Sequence, residues 1–273
     1  MTGWGLHERF QTSAGVVAAG RSGTGPALVL AHGWPWSSFS WHRVIATLSK
    51  RFTVYWYDMP DFGASERRAD RASGIDAQAH VFAEMLDHFD LRAPTVWAHD
   101  FGGAITLRAH LMGGVDYARL VLMNVVMMRP WGSGFFDHVK RNADVFAAVP
   151  PHIHKGITQA YISGAFAHGI ARADLDHLVA PWLDAEDQTA FYRQFAQADE
   201  ALTEAFEDRL AQVRCPVHIL WDADDPWIPL AHGRDLALAM GGPPMTELPG
   251  LGHMPQLENA DATLRAVLPA LTT

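Results

Sequence analysis

Asp100 stands where a nucleophile would. Residues 95–104 read ThrValTrpAlaHisAspPheGlyGlyAla. An apolar run, Val96 to Ala98, leads into one polar step, then Gly102 and Gly103, then helix-spaced apolar residues at Ala104, Ile105, Leu107 and Leu111. A buried strand, a sharp turn with a polar side chain and a helix behind it make a nucleophile elbow. The usual elbow is Gly-x-Ser-x-Gly; here Ala98 holds the first small position and Asp100 the nucleophile's. Small neighbours are needed because the turn residue takes a strained left-handed backbone, which Asp tolerates better than most. Free amides and the dipole at a helix N-terminus favour a carboxylate, so Asp100 is expected to be ionised and able to attack. The competing reading is an ordinary capping Asp on a βα turn. A histidine and three aspartates toward the C-terminus are further candidates. His253 follows the last short strand in ProGlyLeuGlyHis, and Asp222, Asp224 and Asp225 follow Trp221.

Holding such groups takes a rigid frame, and the apolar pattern supplies one. Residues 1–20 read as one or two weak strands. Ala27–Ala31, Phe52–Tyr57, Val96–Ala98 and Leu120–Met128 read as buried strands. Between them Ser38–Lys50, Ile75–Phe89 and the elbow helix carry helical spacing. Such alternation predicts an α/β fold with a mostly parallel sheet and helices on both faces. From Arg129 to about Arg214 the rhythm changes to helix-like stretches, including Phe135–Phe146, Ile157–Ala167 and Ala185–Leu210. Strands return at Val217–Trp221 and Met245–Leu248, with helices over Ala231–Met240 and Ala260–Leu271. The division expected is a first core part over 1–128, a helical lid over 129–213, and a second core part over 214–273.

Composition narrows the function. A hydrophobic content of 49% against 19% charged residues is that of a folded globular chain. A net charge of −9 argues against nucleic acid or an anionic membrane as partner. One cysteine, Cys215, excludes an internal disulfide framework and fits a reducing compartment. The first residues lack a basic segment followed by an apolar core, and no apolar run is long enough to span a bilayer. A cytoplasmic location is expected.

Four motifs together resemble the α/β-hydrolase-fold family with a helical lid. They are HisGlyTrpPro at 32, AspMetProAspPheGlyAlaSer at 58, HisAspPheGlyGly at 99, and the pair Asp225 with His253. Asp61 departs from the family pattern, which usually has Gly there. The resemblance implies a nucleophile, acid and histidine in that order, each on a loop after a strand. It selects Asp225 among the three aspartates, because a Trp-Gly-x-x-Asp pattern closes this strand in the family and Trp221 leads to Asp225. Asn124 stands where some relatives place the acid and cannot supply that charge. An Asp nucleophile can displace a leaving group from saturated carbon and form an alkyl ester. His253, balanced by Asp225, would then activate water against that ester, with the amides of Trp34 and Phe101 holding the oxyanion. Ser37 and Ser38 read as helix caps rather than alternative nucleophiles.

Within the resembling superfamily, Asp at this slot implies an epoxide hydrolase or a haloalkane or haloacetate dehalogenase. An epoxide oxygen needs an acid, which the resemblance assigns to lid tyrosines; Tyr192 falls about where the second one lies, and Tyr161 fits less well. HisGlyTrpPro is also closer to the epoxide-hydrolase turn. A halide instead needs N–H donors, for which Trp131, Trp182, His152 and His154 in the lid are candidates, with Trp34 and Trp36 facing them from the core. Phe101 replaces the Trp or Arg that dehalogenases carry after the nucleophile, which disfavours both kinds. The expectation is therefore epoxide hydrolysis to a diol, with a dehalogenase as the alternative and a non-catalytic small-molecule binder as the alternative of another class. The expected partners are a small apolar organic substrate and water, with a homodimer allowed for. No cofactor is expected. His152 and His154, without acidic or Cys neighbours, read as a polar lid turn after Pro150-Pro151 rather than a metal pair.

Overall fold

The computed structural model describes residues 3–68, 70, 71 and 73–272. The first two residues, which begin the segment read for a leader, and the last lie outside the described residues.

Eight strands form one sheet: β1 (Glu8–Thr12), β2 (Gly15–Ser22), β3 (Ala27–Ala31), β4 (Thr53–Tyr57), β5 (Thr95–His99), β6 (Arg119–Met123), β7 (Val217–Asp222) and β8 (Met245–Leu248). Their order is β1-β2-β4-β3-β5-β6-β7-β8. The first two pairings, β1 with β2 and β2 with β4, are antiparallel; the remaining ones are parallel.

The core helices are α1 (His42–Leu48), α2 (Ile75–His88) and α3 (Phe101–Leu111). Six more follow β6: α4 (Gly134–Arg141), α5 (Ala143–Ala147), α6 (Pro151–Ser163), α7 (Arg172–Val179), α8 (Ala185–Gln197) and α9 (Ala201–Glu207). The last three, α10 (Leu230–Ala239), α11 (Pro255–Glu258) and α12 (Ala260–Thr272), surround β8.

The central strands β3 to β6 are largely apolar because both faces of the sheet are covered there. Alternate residues divide between two cores, as the period of two requires. Val29, Ala31, Val96 and Leu122 pack with Val81, Phe82 and Met85 of α2 and Ile105 and Leu107 of α3. Leu28, Leu30, Trp97 and Val121 pack on the other face with Val44 and Leu48 of α1 and Leu264 and Val267 of α12. Each such side chain contributes about 1.5–3 kcal/mol when fully buried. The β5–α3 junction is therefore clamped from both sides, and the loops after β3, β5, β6, β7 and β8 converge at the carboxyl end of the strands, where open α/β sheets form their crevices.

Several boundaries differ from the sequence pattern, each for a local reason. The strand expected over Leu120–Met128 stops at Met123, because Asn124 has φ 48° and turns the chain out of the sheet. Phe135–Phe146 divides at Asn142 into α4 and α5. Ala185–Leu210 divides at Ala198, whose extended backbone ends α8 before α9 begins. The helix expected from Ile157 starts at Pro151, since proline at the first helical position forfeits no hydrogen bond. His152 and His154 are thus helical residues of α6 and not part of a turn.

Between β6 and β7 the described residues are helical or turn. Among the described residues no helix is long and apolar enough to cross a membrane.

Candidate active site

β5 ends at His99 and α3 starts at Phe101, leaving Asp100 alone in the turn with φ 53° and ψ −127°. Its carbonyl accepts from the amides of Gly103 (3.0 Å) and Val126 (3.1 Å), which fixes this backbone. The glycines are dictated by contact. A Cβ on Gly102 would lie 2.4 Å from the Ala31 carbonyl oxygen, so α3 meets the end of β3 backbone to backbone. A Cβ on Gly33 would lie 2.1 Å from Asp100 Oδ1. The same logic explains Asp61: it has φ 71°, a backbone that favours Gly, and its buried carboxylate accepts from the Arg68 amide (2.8 Å) and the Arg71 guanidinium (2.9 Å).

Asp100 is almost fully buried, and its two oxygens face different partners. The Trp34 amide donates to Oδ1 at 2.7 Å. Oδ2 lies 3.2 Å from His253 Nε2, a close ionic contact that is not aligned as a hydrogen bond. On its other side, His253 Nδ1 donates to Asp225 Oδ2 at 2.9 Å. Asp225 is held in turn by the amides of Trp227 (2.7 Å) and Ile228 (2.9 Å) and by the side-chain amide of Asn124 (2.6 Å). Asn124 thus occupies the end of β6 as a donor to the acid on β7. Of the other aspartates, Asp224 accepts from the Gly250 amide, while Asp222 is buried with both oxygens unpaired. Burial, then the nearby charge of Asp225, pushes the Asp222 carboxyl up to about 8.

Burial acts to lower the His253 pKa, but Asp225 foremost and then Asp100 outweigh it and push the ring up to about 10. Burial likewise works against the charge of Asp225, yet His253, the Ile228 amide and Asn124 keep it below the usual carboxylate range. His99 behaves oppositely. Its Nε2–H donates to the His253 carbonyl at 2.7 Å, its Nδ1 has no partner, and burial, then the neighbouring His253 charge, lowers it to about 3.

His99 therefore links stability to acid. The unfolded ring takes a proton near 6.5 and the folded one only near 3, so stability falls as pH drops below 6.5. The loss through this residue is about 2 kcal/mol by pH 5. Denaturant unfolding from pH 7 to pH 5 should show the wild type losing that amount more than His99→Gln. Parallel curves would contradict the assignment.

Beside Asp100 lies a narrow cavity between the core and the helices after β6, walled by Trp34, Phe101, Trp131, Tyr161, Trp227 and others. It sorts the lid candidates. Tyr161 lines the cavity, no described residue hydrogen-bonds its hydroxyl, and burial, then the charge of Asp100, keeps the phenol protonated well above its ordinary range. Trp131 lines it too, with its Nε1–H unpaired. Tyr192, Trp182, His152, His154 and Trp36 are not among the residues that line it. Tyr192 donates its hydroxyl to His154 Nδ1 (2.9 Å), whose Nε2–H goes to the Trp182 carbonyl (2.7 Å). Trp182 gives its indole N–H to the Pro35 carbonyl (3.0 Å), and His152 is exposed on α6. Trp34 contributes its backbone amide only, because its indole N–H donates to Gln194 Oε1 on α8 (2.7 Å). Phe101 opens α3 and stacks edge-on against Trp131 (5.3 Å).

Trp227 escaped the sequence reading. Its ring stacks on His253 at 5.1 Å and meets Tyr161 at 4.7 Å, closing one side of the cavity. The available signal was an aromatic residue two steps after the acid.

A model described as "Alpha/beta hydrolase family" matches residues 28–266. A crystal structure of an alpha/beta hydrolase fold protein from Burkholderia ambifaria is 38% identical, covers 97% of this chain and 98% of its own, and superposes with a TM-score of 0.94. LipZ of Mycobacterium tuberculosis, named as a hydrolase, is 26% identical over 92% of this chain and 91% of its own length. Haloalkane dehalogenase 2 of the same organism is 36% identical over 98 residues, a match spanning 36% of this chain and 34% of that protein.

Proposed function

The chain belongs to the alpha/beta hydrolase family, and from that premise we propose that it hydrolyses small apolar epoxides to diols through an alkyl ester on Asp100. The observation that carries this reading is the pairing of a carboxylate in the nucleophile's turn with an unengaged Tyr161 hydroxyl in the same cavity. Asp100 Oδ2 attacks a ring carbon, the carbon–oxygen bond breaks, and Tyr161 gives its proton to the departing oxygen. Oδ1 stays on the Trp34 amide, so the attacking oxygen is aimed without reorganisation.

Esterification removes one of the two negative charges that hold a proton on His253. The ring then falls below its resting value of about 10 and passes its proton to the tyrosinate. Neutral His253 next takes a proton from water, whose oxygen attacks the ester carbonyl. The oxyanion forms on the amides of Trp34 and Phe101, and collapse releases the diol. That collapse leaves a carboxyl on Asp100 and an alkoxide on the product; transfer of the carboxyl proton to the alkoxide restores Asp100 and protonated His253.

A second reading rests on Trp131. Its unpaired indole N–H on the cavity wall is what a departing halide would use, and the partial match to haloalkane dehalogenase 2 adds to it. Here His253 loses its proton to solvent, and the net product is alcohol, halide and one proton.

Two variants separate the readings. With an aryl epoxide, Tyr161→Phe should lower turnover by about 10²–10⁴-fold, the usual worth of a positioned acid, while Trp131→Phe changes little. Halide release with Trp131 dominant and Tyr161 indifferent would move the substrate class to haloalkanes. Diol assays and chloride or bromide release on the same panel provide the readout.

A further inference from the structure

A second cavity adjoins the first. It shares the walls Trp34, Phe101, Trp131 and Phe136 with the cavity at Asp100. It lies between α2 with the loop before it and the lid helices α8 and α9, with Ser73 donating to Gln197 Oε1 across that boundary at 2.6 Å. Much of the rest of its wall is apolar, including Met59, Phe62, Ile105 and Leu202.

Two polar groups in this wall have no partner among the described residues, and the first is an acceptor. Gln78 on α2 is only 4% exposed. Its Nε2 donates to the Pro60 carbonyl at 2.9 Å, and since a carbonyl only accepts, the amide cannot be flipped. Oε1 is therefore a buried acceptor, and it has no donor. Buried acceptors of this kind are rare enough to need an explanation. The neighbouring Gln194 differs, because its oxygen takes the Trp34 indole N–H and its nitrogen reaches the Asp61 carbonyl. Trp131, shared with the reaction cavity, adds an unpaired donor. An unpartnered acceptor in a largely apolar chamber matches a hydroxyl group, which can donate to it. A carboxylate suits the chamber poorly: it cannot donate to Gln78, and exposed Asp199 stands in the wall.

We infer that this chamber binds the far end of an elongated substrate, an aliphatic chain carrying a hydroxyl that donates to Gln78 Oε1. The inference deepens the proposed function by naming the substrate's distal half, and it rests on that reading for the reacting half alone. In this arrangement Phe101 and Trp131 form the waist past which the chain runs.

The test reads binding without turnover. Octanol, octyl methyl ether and octanoate are titrated into the wild type by calorimetry, alongside Gln78→Met and Leu202→Trp. Octanol should bind about tenfold tighter than the ether, the worth of one hydrogen bond to a buried acceptor, and octanoate should bind weakest. Gln78→Met should erase the octanol preference. Leu202→Trp, which fills the chamber away from Asp100, should abolish binding of both. Equal binding of octanol and ether to the wild type, or a preference that survives Gln78→Met, overturns the inference. So does octanol binding that survives Leu202→Trp, which also decides the matter if Gln78→Met does not fold. Because no chemistry is read, Gln78-dependent binding without epoxide turnover would refute the proposed reaction and leave the chamber standing.

Discussion

Asp100→Asn should lose turnover by about 10⁴-fold or more while keeping its fold, as expected when a covalent nucleophile is removed. The substitution is chosen for the backbone. Asn tolerates positive φ nearly as well as Asp, so the 53° turn and the carbonyl bonds to Gly103 and Val126 survive. The amide can still accept from Trp34 but cannot attack carbon. Removing the charge also takes away one of the two carboxylates that raise His253, so the variant's histidine should titrate below its resting value of about 10. Initial rates on the best substrate, with thermal unfolding as a fold control, check both parts. A variant that retains more than about a hundredth of wild-type turnover would mean that water attacks the substrate directly, with Asp100 only orienting the histidine.

His253→Gln should divide the reaction in two. Attack by Asp100 requires no base, so formation of the ester should proceed at close to the wild-type rate. Hydrolysis of the ester requires one, and its loss should slow that step by about 10²–10⁴-fold. Substrate would then be consumed rapidly to one equivalent per site and very slowly afterwards. Gln approximates the volume of the ring that Trp227 and Trp36 pack against, so the cavity should hold its shape. A quench-flow time course distinguishes this burst from a uniformly slow reaction. Uniform slowing would place His253 in the first step, as in enzymes whose nucleophile must be deprotonated.

The sheet was legible because its strands are short apolar runs buried on both faces, and the elbow because small residues flank a single polar one. Asp225 could be chosen from three neighbouring aspartates only through the family's Trp-Gly-x-x-Asp pattern; spacing alone left Asp222 and Asp224 open. The lid was harder to read. Distance along the chain favoured Tyr192 over Tyr161, but distance says nothing about which face of a helix meets the cavity. Tyr192 turns into the lid and is taken by His154, 38 positions away, while Tyr161 turns toward Asp100. Trp34 and Trp131 looked alike as N–H donors until a contact across 160 positions showed the first satisfied by Gln194 and the second by nothing among the described residues. Such pairings depend on tertiary docking of lid on core, which no local pattern encodes.

If Asp100 forms a covalent ester, mass spectrometry of His253→Gln detects that ester itself. The variant is incubated separately with an aryl epoxide, haloalkanes and haloacetates, its intact mass is measured, and any adduct is mapped by peptide. The mass of the whole epoxide should be found added to Asp100. An alkyl group on Asp100 with halide released would keep the nucleophile and change the substrate class. An adduct on another residue, or none from a substrate that the wild type turns over, would contradict the claim.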